Sequence, residues 1–358
     1  MCLHSNRRGS QTSIEASSAS VYYSGVYWNN FVPVREYLNR LATGNETVTW
    51  QDHLFQYAHA KPFRKALILS CGNGWLESEL YVKGIIESAV GVDINDQLLN
   101  EARAKAISKG LPVKYYKIDS NKVDIFPESG YDIVFNHASL HHVAHIDRNV
   151  RAVYELLRKT DGIFVNYEFI GPHRNQYDAR EWDVILDMNR KTEASLRRTN
   201  LVYPHLQKML KVDPSEAVHS ELIVTTVNRY FLPLWNRSLN GPLAYELLTH
   251  NKKLEKFQHI DNWAVNAPLS VQKHFKRILR ADEEHAKNYE GSSLFWYSIS
   301  KPQAEPLPDY LLNRWQKEEI SRESRAKANG GRYYPPTSVA KRTCWRNPLV
   351  PRVRCKKK

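Results

Sequence analysis

The sequence predicts an α/β fold built on a doubly wound, mostly parallel sheet. Three observations predict it. Between residues 65 and 169, short apolar runs alternate with amphipathic stretches. A glycine-containing turn directly follows the first run, and the second run ends on an acid, Asp93, 21 residues after Gly72.

The elements follow in chain order. Residues 1–20 are rich in Ser and have little to bury, so a mobile arm is expected. In 21–62, Tyr22, Tyr23, Tyr27, Trp28, Phe31, Val34, Tyr37, Leu38 and Leu41 recur at near-helical spacing. The run closes on Thr43-Gly44-Asn45, and the segment is expected to form an N-terminal helical lid. The core, 63–172, has strands at 66–69, 89–92, 113–118, 133–135 and 163–169. Helices are expected between them at 75–86, 97–109 and 149–159, the last stopped by Asp161-Gly162.

Gly171-Pro172 then breaks the pattern. Residues 173–230 are expected to form a mostly helical, Arg-rich cap insertion, with Asp213-Pro214-Ser215-Glu216 as a helix start. Residues 231–302 complete the sheet with strands at 231–237 and 293–300 around helices at 243–257 and 270–288. From 303 to 358 prolines recur among basic residues, giving a tail expected to be mostly disordered beyond a short helix near 311–327.

Composition narrows the function. The 358 residues are 42% hydrophobic and 25% charged, which excludes a wholly disordered or fibrous chain. No run approaches the roughly 20 apolar residues that span a bilayer, and the first twenty residues lack the apolar stretch of a secretory signal. Four separated cysteines (Cys2, Cys71, Cys344, Cys355) suit a reduced, cytoplasmic protein. The net charge of +13 is unevenly spread: 306–358 holds 14 Lys/Arg against 4 Asp/Glu, leaving 37 against 34 elsewhere. Any nucleic-acid contact is therefore expected only through the tail.

The first strand runs into Cys71-Gly72-Asn73-Gly74-Trp75-Leu76-Glu77. Glycines there permit a sharp turn and close approach of a ligand, and a helix start directs free amides into the turn. A plain tight turn would use the same residues. Asp93 tips the balance, because an acid at the end of the second strand is placed to hold two ribose hydroxyls. Asp119, ending the third strand, is placed either for an exocyclic amine such as that of adenine or as a loop residue. The dinucleotide fingerprint needs a third glycine where this chain has Glu77, whose carboxylate would also repel a pyrophosphate at a helix start. A nucleoside without phosphate is favoured, which points to S-adenosylmethionine.

Residues 65–170 resemble a class I S-adenosylmethionine-dependent methyltransferase of the small-molecule (methyltransferase type 11/12-like) branch. The resemblance is carried by the glycine turn, Gly91-Val92-Asp93-Ile94, the stretch from Tyr131 to Val143 that includes Asn136-His137-Ala138 and Leu140-His141-His142, and Glu168-Phe169-Ile170-Gly171-Pro172. It implies a Rossmann-like, seven-stranded sheet whose last strand is antiparallel. The chain departs from the family at Ile68 and Ser70, where an acid is usual before the turn. The cofactor-binding set it implies is Ser70, Cys71, Gly72, Asn73, Gly74, Asp93, Ile94, Asp119, Ser120, Asn136 and His137.

Transfer from a sulfonium needs alignment above all, with a general base where the acceptor is a hydroxyl. His141 or His142 is the candidate base, and Glu168 a candidate for orienting the acceptor; capping, packing or a solvated strand end are the plainer alternatives. His137, His141 and His145 share a four-residue spacing, but no carboxylate or thiolate partner is legible, and no metal is assigned. The insertion's Arg174, Arg180, Arg190, Arg197 and Arg198 suggest a sugar-like or anionic acceptor. The expected activity is methyl transfer to a small molecule or glycan precursor, at oxygen. The alternatives are an RNA or protein acceptor tethered by the tail, or a degenerate binding protein. Oligomeric state is left open.

Overall fold

A computed structural model describes residues 25–58, 62–289 and 293–307. The arm, Tyr22, Tyr23 and the tail beyond 307 lie outside the described residues.

Seven strands form one sheet: β1 (Ala66–Leu69), β2 (Ala89–Asp93), β3 (Val113–Lys117), β4 (Ile133–His137), β5 (Ile163–Phe169), β6 (Phe231–Ser238) and β7 (Phe295–Pro302). Their order is β3-β2-β1-β4-β5-β7-β6. Strands β1 to β5 pair in parallel, and β7 runs antiparallel to both β5 and β6. The order reverses between β1 and β4, which opens a crevice at the carboxyl ends of those strands.

Strand residues alternate between two cores. Ile68, Phe135 and Val165 face one apolar cluster, while Leu67, Val134 and Phe164 face the other. A sheet covered on both faces explains the continuous apolar runs. β6 lies at the edge and is mostly exposed; Pro233 and a bulge between Pro233 and Trp235 blunt it against further pairing.

The helices of the first half cover the sheet where periodicity places them. α1 (Val32–Thr43) buries Val34, Tyr37, Leu38 and Ala42 and ends on Gly44 in the left-handed region. α2 (Trp50–His53) is capped by Thr49. α3 (Trp75–Val82) follows the glycine turn, and α4 (Asp96–Lys109) is capped by Asn95. α5 (Ile146–Leu157) presents Ile146, Val150, Val153 and Leu157 to the core.

The second half departs from expectation twice. In place of a mostly helical 174–220, the chain has α6 (Ala179–Arg190), α7 (Leu206–Val212) and turns. Asp213 ends α7 rather than starting a helix. Its Oδ1 accepts from Ser215 N at 2.9 Å, an Asx-type turn that diverts the backbone, and the next helix, α8, is Ile223–Tyr230. The helix expected over 243–257 is interrupted: α9 (Ala244–Leu248) stops before His250, which has φ of 56°, and a 3-10 segment covers Lys252–Phe257. α10 (Trp263–Asn266) and α11 (Leu269–Asn288) follow, with α11 packed beside α1.

Candidate active site

The crevice is bounded on one side by the turn after β1. Ser70, Gly72 and Gly74 take φ of 44°, 56° and 74°, and a side chain at Gly74 would meet the Tyr115 hydroxyl at 2.6 Å and Ala102 at 3.0 Å. Glycine is required there by space as well as by φ. Cys71 is buried beneath the turn, and burial pushes its thiol far above the usual range.

Asp93 sits at the end of β2 with its carboxylate turned into the same crevice. Oδ2 accepts from Gly72 N at 2.9 Å and Oδ1 from Asn95 N at 2.8 Å, so one acid fastens the turn to the following loop. Burial raises its pKa while those amides oppose the rise. Ile94 beside it is 45% exposed, an aliphatic wall at the mouth. At the end of β3, Asp119 accepts from Asn121 N and pairs with exposed Lys122 at 3.1 Å. The Ser120 carbonyl accepts from Asn149, and the Asn73 carbonyl from Lys105 at 2.8 Å. Glu77 is wholly buried against Tyr115 in the first turn of α3, and burial lifts its pKa to about 7. The repulsion of phosphate expected from it is therefore only partial near neutrality.

β4 places neighbouring residues on opposite faces. Asn136 turns inward: its Oδ1 accepts from Ser139 Oγ at 2.6 Å and Leu140 N at 3.1 Å, and its Nδ2 donates to Asn166. It shapes the turn after β4 with its side chain. His137 points the other way, stacked on Tyr167 with ring centroids 5.3 Å apart and on Trp50 at 5.6 Å, with Trp75 edge-on. Burial lowers its pKa to about 4, so it is neutral at physiological pH.

Glu168 and His141 form a buried pair. Glu168 is fully buried; its Oε2 accepts from Ser139 N and Leu140 N at 2.9 and 2.7 Å, and its Oε1 lies 2.6 Å from His141 Nδ1. Burial alone would raise the Glu168 pKa, yet His141 and the amide donors outweigh it and hold the acid low. For His141, burial is outweighed by Glu168, Glu216 and Asp213, and the pKa rises to about 9. His142, its ring centroid 4.2 Å from that of His141, is pushed down by burial and by its neighbour's charge.

The segment after α7 closes the crevice. Glu216 Oε2 lies 3.9 Å from His141 Nε2 and 3.8 Å from His142 Nε2, and His142 Nδ1 lies 3.1 Å from Ser215 Oγ. A carboxylate partner for the histidines, absent from their sequence neighbourhood, thus arrives from about 75 residues downstream. The sequence shows the Asp-Pro-Ser-Glu run but gives no signal that it folds back onto the histidines. His145 is not part of this group.

The insertion's arginines are largely committed elsewhere. Buried Arg174 donates to the carbonyls of Pro214 and Glu216, Arg197 to those of Thr192 and Arg190, and Arg198 pairs with Glu246. These contacts tie the three arginines into the fold, and carboxylates lie beside the histidines. Trp28 is buried, stacked on Phe295 at 5.1 Å.

Residues 67–165 match the family described as "Methyltransferase domain". The chain is 23% identical over 128 residues to the bovine eEF1A lysine and N-terminal methyltransferase, which is 34% of this chain and 17% of that protein's length. It is 25% identical over 150 residues to the demethylmenaquinone methyltransferase of Thermus thermophilus, covering 42% of this chain and 67% of the relative. A solved structure of a putative sarcosine dimethylglycine methyltransferase from Galdieria sulphuraria overlaps 72% of this chain and 85% of its own, with a TM-score of 0.42 at 13% identity. The seven-stranded sheet and the glycine turn have the architecture of class I methyltransferases, and the match to the methyltransferase-domain family lies within it, over 67–165. No helix among the described residues is long and apolar enough to cross a membrane.

Proposed function

We propose that the chain is an S-adenosylmethionine-dependent methyltransferase that methylates a hydroxyl of a small-molecule or glycan-precursor acceptor, with His141 as the proton acceptor and Glu168 as the residue that positions it. The buried Glu168–His141 contact of 2.6 Å carries this reading. Glu168 engages Nδ1 and leaves Nε2 beside Glu216; because the neighbouring carboxylates raise the pKa to about 9, the neutral form able to take a proton from a hydroxyl is the minor one at neutrality and grows with pH.

The turn would hold the cofactor: Gly72 and Gly74 would allow close approach, Asp93 would supply acceptors for a ribose diol, Ile94 and Asp119 would flank the base, and the backbone from Asn136 to Ala138 the methionine portion. S-adenosylmethionine supplies an activated methyl group on a cationic sulfur. What the chain would add is alignment and a proton acceptor. The small-molecule relative from Thermus supports a small acceptor, and the bovine relative supports a protein acceptor as the second reading.

The test is transfer of a labelled methyl group to fractionated extract, followed by mass and NMR analysis of the product. An O-methyl ether of low molecular mass is expected, with kcat lowered about 10²–10⁴-fold in His141→Ala. Label recovered on a protein or RNA would sink the acceptor assignment. Undiminished kcat in His141→Ala would sink the assigned base.

A further inference from the structure

His141 and His142 share a geometry that methyl transfer does not explain. His141 Nδ1 is held by Glu168 at 2.6 Å, and His142 Nδ1 by Ser215 Oγ at 3.1 Å, whose own hydroxyl is engaged with Asp213 Oδ1 at 2.6 Å. With each Nδ1 donating to an oxygen, each Nε2 presents its lone pair. Both Nε2 atoms converge on one carboxylate oxygen, Glu216 Oε2, at 3.9 and 3.8 Å. When the imidazoles are neutral these are three electron-rich atoms facing one another, an arrangement that a proton or a metal ion between them relieves.

Metal-binding histidines are held in this manner, with the non-ligating nitrogen tied to a carboxylate or a hydrogen-bonded oxygen that fixes tautomer and ring orientation. At metal–ligand bonds near 2.0–2.2 Å, tetrahedral ligand atoms stand about 3.4 Å apart; the three atoms here lie within 4.8 Å of one another, so small side-chain rotations would seat an ion. The backbone of the site is also fastened. Val218 N donates to the His141 carbonyl at 3.0 Å, and Arg174 ties down the carbonyls of Pro214 and Glu216, so the carboxylate-bearing segment is pinned across from the histidines.

We propose that His141 Nε2, His142 Nε2 and Glu216 bind a divalent first-row transition metal such as zinc, with Glu168 and Ser215 as positioning residues and a remaining coordination position open to the crevice. Two imidazoles and one carboxylate suit that class of ion better than calcium or magnesium, which prefer all-oxygen sets. The ion and a proton are alternative occupants of His141 Nε2. Binding is therefore measured without cofactor or acceptor, and the inference stands apart from which acceptor is methylated.

The experiment is titration of the full, metal-stripped chain with cobalt(II), followed by visible absorption, alongside calorimetry with zinc. One saturable equivalent is expected, with d–d bands of a four- or five-coordinate ion and no sulfur charge-transfer band. Glu216→Gln and His142→Ala should each remove that equivalent, and Glu168→Gln should weaken it by 10–100-fold. Calorimetry with S-adenosylhomocysteine serves as the folding check, and at least one of the Glu216 and His142 variants must retain that binding. The proposal is overturned by absence of a saturable equivalent, by a thiolate-type spectrum, or by unweakened cobalt binding in a variant that still binds S-adenosylhomocysteine. Loss of S-adenosylhomocysteine binding by the wild type would count against the cofactor site and leave the metal result to be judged on its own spectrum.

Discussion

At the scale of single residues, Glu77 is where sequence and structure differ most usefully. The sequence marks it as the acid standing where a dinucleotide site would have glycine. The structure shows that it is wholly buried, with burial lifting its pKa to about 7. The unfolded chain titrates near the ordinary 4.5, so between about 4.5 and 7 the folded protein holds more proton than the unfolded one. Stability therefore falls as pH rises through that window, and the full cost, roughly 3 kcal/mol, is present above it. Glu77→Gln keeps the shape and removes the charge. It is expected to stabilise the protein by up to that amount at pH 8 and hardly at all at pH 4.5, read by urea unfolding at both. A difference that does not change with pH would refute the burial account.

The same scale shows what was legible. The turn at Gly72 and Gly74 and the place of Asp93 at the end of β2 were readable because a glycine turn after a strand and an acid at the next strand end are local patterns. The approach of Glu216 to His141 was not, because it depends on a segment that leaves the sheet and returns.

At the scale of elements, the inner strands β1, β2, β4 and β5 were predicted to within two residues because burial on both faces writes itself as an unbroken apolar run. The insertion was not, because Arg-rich segments with scattered Trp, Ile and Met satisfy helical periodicity even where Asx turns and left-handed residues such as Ala217 redirect the chain. Tertiary polar contacts also decide how the second half is assembled. Asp282 of α11 is fully buried; its Oδ1 accepts from Leu243 N and Ala244 N, both at 2.8 Å, and its Oδ2 accepts from Gly241 N at 3.0 Å and Tyr37 Oη at 2.9 Å. One carboxylate thus caps the start of α9 and ties α1 to α11. Asp282→Asn would aim an amide N–H at backbone N–H donors, whichever way it is flipped. A loss of about 3–5 kcal/mol is expected by denaturant unfolding, the range for breaking a buried charged network. A loss below about 1 kcal/mol would show that the network relaxes around the amide.

At the scale of the whole molecule, the division of charge separates the acceptor readings. The 305 residues preceding the tail are nearly balanced, whereas 306–358 carries a net +10. Counterion release makes the affinity of such a segment for a polyanion fall with salt, with a log–log slope of roughly −0.7 for each phosphate contacted on a single strand. The crevice chemistry, by contrast, is short-ranged and lies among the described residues: Glu168, His141 and the glycine turn make their hydrogen bonds within the sheet and its loops. A chain ending at residue 307 is therefore expected to keep methyl transfer to a small acceptor within about twofold, while its binding to single-stranded RNA at low salt drops at least tenfold and loses its salt slope. Fluorescence anisotropy across a salt series, run beside the labelled-methyl assay, reads both. If truncation abolished methyl transfer at saturating small acceptor, the tail would belong to the catalytic unit, and the assignment of the reaction to the crevice alone would fail.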